Sequence, residues 1–170
     1  INIPLFYASS SCIHNWWLSP YGTSKKVNEE TAHEGQVGLR FTTVYGDGAR
    51  ESMLIGKLIR GEVKYLTNHI RDFIHVDDVV DAMLLIMDKK LNAHEYPDVT
   101  LKSYYDIGTG RGVIVKDLAK VAGIDVPTTH GDDCEAKDNT ADITDLLELG
   151  WKPKMKVEEY ISLHLQKDAV

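Results

Sequence analysis

The chain has 170 residues, of which 43% are hydrophobic and 26% are charged, so we expect one globular domain or two small lobes and not a disordered or fibrous protein. Its net charge of −7 argues against a nucleic-acid partner, and the absence of a long apolar run in the sequence argues against a membrane partner. Its two cysteines give no disulfide framework, which indicates a reducing, cytoplasmic location.

Predicted strands and helices alternate along the chain, and this alternation favours an α/β fold with a parallel sheet. Strands are predicted at residues 3–8, 37–44, 63–66 and 104–107. Helices are predicted at residues 24–33, 52–60, 76–91, 115–121, 142–149 and 157–166. Asp77 and Asp78 are expected to cap the helix that begins at Val76. Residues 128–140 are expected to form a surface loop, because they are polar and lack periodicity.

Tyr21 and Lys25 form the first candidate for chemistry. They stand four residues apart after Pro20, and on a helix this spacing puts both side chains on one face. A lysine ammonium close to a phenol favours the phenolate. Such a tyrosine can take a proton from a sugar or alcohol hydroxyl while hydride leaves the carbon. The spacing alone is common, so an ordinary surface pair on a helix stays open as the alternative.

A cluster of hydroxyls, Ser9, Ser10 and Ser11, directly follows the first predicted strand. The carboxyl end of a parallel strand is where open α/β sheets bind ligands. A hydroxyl in that place can hydrogen-bond a reacting oxygen and hold it near a base. The alternative is that these small polar residues only satisfy a tight turn.

The segment of residues 70–80 carries a third group of candidates. Arg71 offers a planar guanidinium fork that suits a phosphate or diphosphate. His75 is interpreted as structural, because a lone histidine where a strand meets a helix seldom has a catalytic role. The acidic pair that follows it lacks the partners of a metal site, so no metal is predicted.

Six segments, taken together, match one family in that family's order. They are residues 6–11, 19–25, 39–46, 71–78, 105–110 and 141–153. With them the chain resembles the NAD-dependent epimerase/dehydratase family, the extended short-chain dehydrogenases/reductases. The resemblance implies an α/β fold made of the second half of a Rossmann-type parallel sheet and a small α/β substrate-binding lobe. Residues 1–43 and 76–107 would form the sheet part, and residues 44–75 and 108–170 the nucleotide-sugar lobe.

The resemblance also implies roles for particular residues. Tyr21 would abstract a proton from a sugar hydroxyl, Lys25 would assist it and hold the nicotinamide ribose, and Ser10 would hydrogen-bond the same hydroxyl. The cofactor would be NAD, with NADP as the alternative. The residues expected beside the cofactor are Ala8, Tyr21, Lys25, Phe41 and Val44. The residues expected to bind a nucleotide-sugar substrate are Ser11, Thr43 and Arg71.

The chain departs from the family pattern in several places. It shows no Gly-rich dinucleotide fingerprint near its start, and Gly108-Thr109-Gly110 comes too late to serve as one. Thr43 stands where many members carry an Asn that touches the substrate, and residues 130–132 stand where an Arg often helps to bind phosphate. We therefore expect that an N-terminal half-domain of roughly a hundred residues is missing, and that the isolated chain is inactive.

The residues after Ser10 bear on which reaction the family resemblance implies. Ser11 and Cys12 stand where the 4,6-dehydratases carry an Asp-Glu pair, so dehydration is disfavoured. A UDP-sugar 4-epimerase is expected first, because it needs only Ser, Tyr, Lys and the cofactor. A GDP-sugar epimerase/reductase, with a Cys at the position of Cys12 as acid/base, is the alternative. The His that would accompany this Cys is missing, so Cys12 is interpreted as a small packed residue.

Other possibilities within and outside enzyme chemistry stay open. A dehydratase or decarboxylase of the same family is one. A non-catalytic fragment that binds a nucleotide sugar or associates with itself is another. Homodimers formed through a helix pair are common in the family, so a homodimer or another form of self-association is expected.

Overall fold

The structure is a computed structural model that describes residues 4–167 of the chain. Its strands are β1 (Phe6–Ser10), β2 (Val37–Phe41), β3 (Thr43–Tyr45), β4 (Leu66–Thr67), β5 (Ile70–His75), β6 (Tyr104–Ile107), β7 (Gly112–Ile114) and β8 (Thr128–Thr129). Its α-helices are α1 (Pro20–Glu30), α2 (Leu54–Ile59), α3 (Val76–Leu91), α4 (Asp117–Ala122), α5 (Thr144–Glu148) and α6 (Val157–Lys167). Short 3-10 segments lie at Ser11–Leu18 and Ala93–Glu95. Within this range no helix is long and apolar enough to cross a bilayer.

The first sheet is parallel, with the strand order β1-β2-β6. Ser10 at the end of β1 is in register with Phe41 at the end of β2, which in turn pairs with Ile107 of β6. A buried apolar cluster joins this sheet to α3 and α5. It contains Val37, Leu39, Ile74, Val79, Ala82, Ile86, Tyr105, Ile107, Leu146 and Trp151. Apolar residues in parallel strands pack in this way because helices cover the faces of the sheet.

The second sheet has the order β3-β5-β7, with β3 and β5 parallel and β5 and β7 antiparallel. A second buried cluster connects it to α2, α4 and α6. It contains Tyr45, Ile55, Leu58, Leu66, Phe73, Val113, Val115, Leu118, Ala119, Val157, Tyr160 and Ile161. Strand β5 joins the two clusters, since Phe73 packs in the second and its neighbour Ile74 in the first. This follows from the alternation of side chains along a strand.

The predicted strand at residues 37–44 is wrong as a single element. The chain forms two strands in different sheets, β2 and β3, separated at Thr42. The Thr42 N–H and hydroxyl both donate to the carbonyl oxygen of Ile107, at 3.1 and 3.2 Å. These bonds end the pairing of β2, and the backbone then turns to pair with β5. The part of the first predicted strand that precedes Pro4 lies outside the described residues.

Several predicted boundaries also moved. The helix expected at residues 24–33 begins four residues earlier, at Pro20, because Ser19 caps it. Strand β7 and the 3-10 segment Ser11–Leu18 were not predicted, and of the strand expected at residues 63–66 only Leu66 lies in a strand, β4. The predicted surface loop at residues 128–140 begins with the short strand β8, which pairs with β4.

The prediction that Asp77 and Asp78 cap α3 is wrong. The cap is His75, whose Nδ1 accepts a hydrogen bond from the Asp77 N–H at 3.2 Å. Asp78 is buried, and its carboxylate instead accepts from the N–H groups of Lys154 and Met155 at 3.0–3.1 Å. An acidic residue in the first turn suits the helix dipole, and here it also anchors the segment before α6.

Candidate functional site

The end of β1 and the start of α1 position the first group of predicted site residues. The Ser10 hydroxyl oxygen accepts from the N–H of Cys12 at 3.3 Å, which turns the chain into the 3-10 segment. The Ser19 hydroxyl accepts from the N–H of Gly22 at 3.0 Å and so starts α1. A Cβ at Gly22 would lie 2.7 Å from the Trp16 carbonyl oxygen, so glycine allows the segment and the helix to approach closely.

Tyr21 and Lys25 lie on α1 as the spacing predicts. The Lys25 ammonium donates to the carbonyl oxygen of Ala8 at 2.9 Å and stands 5.5 Å from the centre of the Tyr21 ring. Tyr21 is 54% exposed. The lysine therefore links α1 to β1, while the Tyr21 side chain stays exposed. This arrangement leaves the phenol accessible to a ligand.

A cleft of about 420 Å³ opens at the carboxyl ends of β1 and β2. Four of the predicted site residues line it together, namely Ser10, Ser11, Thr43 and Arg71. The cleft is not lined by Tyr21, Lys25, Ala8, Phe41 or Val44. Phe41 and Val44 are half-buried, and both pack against the first apolar cluster. The structure thus gathers the residues predicted for the substrate, with Ser10, and leaves those predicted for the cofactor outside the cleft.

Arg71 stands in this cleft with its guanidinium already hydrogen-bonded. One terminal nitrogen donates to the carbonyl oxygens of Ile70 at 2.8 Å and Ala136 at 2.7 Å. The other contacts the Glu135 carboxylate at 2.8 Å and His69 Nδ1 at 3.0 Å. The His69 nitrogen must accept, because a guanidinium only donates. These contacts hold the planar group rigidly at the cleft wall.

A second cavity of about 590 Å³ adjoins the cleft, and the two share Thr43, Arg71 and Glu135 in their walls. The remaining wall of the second cavity includes Lys57, Lys64 and the 59% exposed Tyr65. Aromatic and basic side chains of this kind can contact a base and phosphates. The guanidinium of Arg71 therefore lies where two neighbouring spaces meet.

Asn139 is a site residue that the sequence did not reveal. Its Oδ1 accepts from the N–H of Asp72 at 2.8 Å, and its Nδ2 contacts Thr43 Oγ1 at 3.3 Å and Ser11 Oγ at 3.4 Å. It lies in the polar stretch predicted to be a surface loop, which offers no periodicity from which its direction could be inferred. Glu135, in the same stretch, was missed for the same reason.

The Gly-rich loop after β6 is occupied by a carboxylate of the chain itself. Asp72 is fully buried and accepts from the N–H groups of Thr109, Gly110 and Ala141 and from the Thr109 hydroxyl, at 2.6–3.2 Å. Backbone N–H groups in such loops can also bind phosphate. Here they serve Asp72, in agreement with the interpretation that this loop is not the dinucleotide fingerprint.

A charged network beneath β1 fixes α1 on the sheet. The Glu29 carboxylate accepts two hydrogen bonds from Arg40, at 2.8 and 2.6 Å, and one from the Ser9 hydroxyl at 2.6 Å. Burial opposes ionisation of Glu29, but the bonds from Arg40 and Ser9 outweigh it and lower the pKa of the carboxyl. The helix that carries Tyr21 and Lys25 is therefore tied to the strand that carries Ser10.

Comparison with known proteins assigns this architecture to a class. Residues 17–100 match the NAD dependent epimerase/dehydratase family. The chain is 30% identical to a CDP-abequose synthase of Salmonella typhimurium over 88% of its own length and 56% of the relative's. It is 27% identical to a dTDP-L-rhamnose 4-epimerase of Burkholderia thailandensis, over 84% and 44% of the two chains.

A solved structure, MoeE5 in complex with UDP-glucose and NAD, superposes with a TM-score of 0.75 at 26% identity, and the match covers 98% of this chain and 64% of that one. The fold and these matches define an extended short-chain dehydrogenase/reductase. The chain belongs to the NAD-dependent epimerase/dehydratase family. It spans about half the length of the two curated relatives.

Proposed function

We propose that this chain carries the substrate-binding and proton-transfer part of an NAD-dependent nucleotide-sugar epimerase of the UDP-sugar 4-epimerase type. The observation that carries the proposal is that the hydroxyls of Ser10, Ser11 and Thr43 share one cleft with the Arg71 guanidinium. Hydroxyls suit the oxygens of a sugar, and a guanidinium suits a diphosphate. The solved structure of MoeE5 is in complex with UDP-glucose and NAD, which supports this ligand class.

The residues around Ala8 fit the nicotinamide end of NAD. Ala8 is exposed in the middle of β1, Lys25 donates to its carbonyl oxygen, and Tyr21 lies one helical turn before Lys25. Phe41 and Val44 would form the neighbouring wall. The Gly-rich loop after β6 is engaged by Asp72, so these residues fit the nicotinamide ribose and not the pyrophosphate. When bound, NAD supplies the hydride acceptor at the sugar carbon.

Tyr21 is proposed to take the proton from the sugar hydroxyl. Its phenol is exposed, and the Lys25 ammonium stands 5.5 Å from the centre of its ring. Ser10 is proposed to donate a hydrogen bond to the same sugar oxygen. Its oxygen accepts from the Cys12 N–H, and within residues 4–167 no hydrogen bond uses its proton, which it can donate to a ligand.

Arg71 is proposed to bind the diphosphate. Because it stands between the two cavities, a sugar would lie on the side of Ser10 and a nucleotide base on the side of Tyr65. Glu135 now shares the guanidinium and would have to move when a diphosphate binds. The division into a sheet part and a nucleotide-sugar lobe, predicted from the sequence, stays a proposal of the same kind.

The binding test is calorimetric titration of UDP-glucose into the 170-residue chain and two variants. Arg71→Lys keeps the charge but removes the fork, and we expect it to weaken binding about tenfold. Arg111→Lys is the matched control, because Arg111 also binds a carboxylate, that of Glu158, and lines neither cavity. Equal losses in both variants, or no binding by the unchanged chain, would contradict the proposal.

The same titration with NAD separates catalysis from binding alone. Binding of NAD supports the epimerase, and because Tyr21 is proposed beside the nicotinamide, NAD binding should weaken in Tyr21→Phe but not in Tyr104→Phe, which alters another exposed tyrosine. Binding of UDP-glucose without NAD would favour the alternative, a non-catalytic segment that binds a nucleotide sugar. Sedimentation at several concentrations tests the proposed homodimer or other self-association.

A GDP-sugar epimerase/reductase is the second candidate, and the position of Cys12 favours it. Cys12 is half-buried and lines the cleft with Ser10, so its thiol is open to a ligand and is not simply packed away. Thermal shifts with UDP-, GDP- and dTDP-sugars distinguish the candidates. A larger shift with GDP-sugars that is reduced in Cys12→Ser would reverse the order of the two proposals.

A further inference from the structure

The orientation of the Asn139 side chain is set by the backbone of β5. Its Oδ1 accepts from the N–H of Asp72 at 2.8 Å. A backbone N–H can only donate, so the oxygen of the carboxamide must face β5 and the amino group must face the other way. That direction leads to Ser11 and Thr43 in the wall of the cleft.

The amino group of Asn139 determines whether the hydroxyls of Ser11 and Thr43 donate or accept a hydrogen bond. An amide nitrogen has protons but no lone pair to offer, so Ser11 Oγ and Thr43 Oγ1 both act as acceptors towards it. The two distances, 3.4 and 3.3 Å, are longer than those of ordinary hydrogen bonds. In the range 4–167, neither hydroxyl has another hydrogen-bond partner. Each therefore keeps its proton for a third group.

The Ser10 hydroxyl is also a hydrogen-bond acceptor, but its donor is a backbone N–H and not Asn139. Its oxygen accepts from the Cys12 N–H, and its proton is likewise unused. Among the described residues, the cleft wall thus presents hydroxyl protons from Ser10, Ser19, Ser11 and Thr43, and the last two are directed by a single carboxamide.

We propose that Asn139 is a positioning residue that makes Ser11 and Thr43 hydrogen-bond donors towards the sugar oxygens of a nucleotide sugar. This inference rests on the proposed function and identifies the residue that sets its selectivity for the sugar. Its consequence is specific. Asn139 controls the gain in affinity that the sugar adds to the nucleoside diphosphate, and leaves the contribution of the diphosphate itself to Arg71.

The test compares UDP with UDP-glucose, because both carry the diphosphate and only one carries the sugar. Asn139→Asp keeps an oxygen for the Asp72 N–H but replaces the donor with an acceptor, so the Ser11 and Thr43 protons would turn towards the carboxylate. The added negative charge repels both ligands alike and cancels in the ratio of their dissociation constants. We expect the preference for UDP-glucose over UDP to fall about tenfold, as for the loss of one to two hydrogen bonds.

Two further variants keep the test decisive. Thr43→Val removes one of the directed hydroxyls at nearly constant shape and should lower the preference for UDP-glucose over UDP. It tests the proposal even if thermal unfolding shows that Asn139→Asp does not fold. When Thr43→Val is combined with Asn139→Ala, the loss of this preference should be smaller than the sum of the two single losses, because both changes remove the same interaction. Asn28→Asp, an exposed change on α1, is the charge-matched control and should leave the preference unchanged.

The outcomes separate the two proposals. If the unchanged chain does not prefer UDP-glucose to UDP, the proposed function fails and the role of Asn139 fails with it. If the unchanged chain shows the preference and both Asn139→Asp and Thr43→Val retain it, only the role of Asn139 is overturned. A parallel loss of affinity for UDP and UDP-glucose in Thr43→Val would show a general effect on the cleft and would also overturn it.

Discussion

Removing the Glu135 carboxylate should strengthen the binding of a nucleoside diphosphate. The four contacts of Arg71 use the four hydrogens of its two terminal nitrogens, so a diphosphate that binds these two nitrogens must displace a present partner. Two partners are main-chain carbonyl oxygens and a third, His69, is only 8% exposed. The Glu135 side chain is 56% exposed and is the partner that can leave. Glu135→Gln weakens that competitor at nearly unchanged shape.

The size of the effect follows from the exposure of this ion pair. Because water screens the Glu135 carboxylate, the pair with Arg71 contributes about 0.2–1 kcal/mol, as exposed pairs do. A ligand that no longer has to break it should gain the same amount, which corresponds to a dissociation constant lower by roughly 1.4- to 5-fold. The gain should shrink as salt is added, because exposed charges are screened.

Calorimetry with UDP at low and high salt measures this prediction. Asp117→Asn is the matched control, because it removes a carboxylate from another exposed pair, with Lys120 at 2.8 Å, that lines neither cavity. The control should leave the affinity for UDP unchanged. Unchanged or weaker binding of UDP by Glu135→Gln would show that Glu135 does not compete for Arg71, and the reasoning would be refuted.

Three predictions concern stability. Asp72→Asn places an amide donor where a buried carboxylate accepts from four donors and leaves two of them without an acceptor, so urea unfolding should show a loss of about 2–6 kcal/mol. Leu58→Ala empties a fully buried site in the second apolar cluster and should cost about 2–5 kcal/mol in the same assay. The pKa of Glu29 is lowered in the folded chain, so its contribution is present above the ordinary value of 4.5 and is lost as the pH falls below it. Below this pH, the urea concentration at the midpoint of unfolding should fall less steeply with pH in Glu29→Gln than in the unchanged chain.

The sequence predicted the elements that repeat a pattern over enough residues. The bounds of α3, Val76–Leu91, and of β6, Tyr104–Ile107, agree with the prediction because an amphipathic spacing and a short apolar strand bounded by polar residues are visible locally. The break at Thr42 was not visible, because residues on both sides of it are β-branched or aromatic. It depends on the Ile107 carbonyl oxygen, 65 residues away in the chain.

The candidate site likewise contains residues that the sequence could predict and residues that it could not. The roles of Ser10, Tyr21 and Lys25 came from the resemblance and stay predictions, while the structure adds the contact of Lys25 with Ala8. Asn139 and Glu135 could not be predicted, because a polar loop has no periodic face. Their positions depend on contacts with β3 and β5 that only the folded chain provides.

Strand β5 connects the cleft to both apolar clusters. Along consecutive positions, Arg71 enters the cleft, Asp72 binds the Gly-rich loop, Phe73 and Ile74 pack in opposite clusters, and His75 caps α3. The Asp72 N–H also holds Asn139. A ligand on the Arg71 guanidinium therefore contacts an element that both clusters fix in place. The cleft wall on this side is thus rigid, and the movement that admits a diphosphate must come from the loop that carries Glu135.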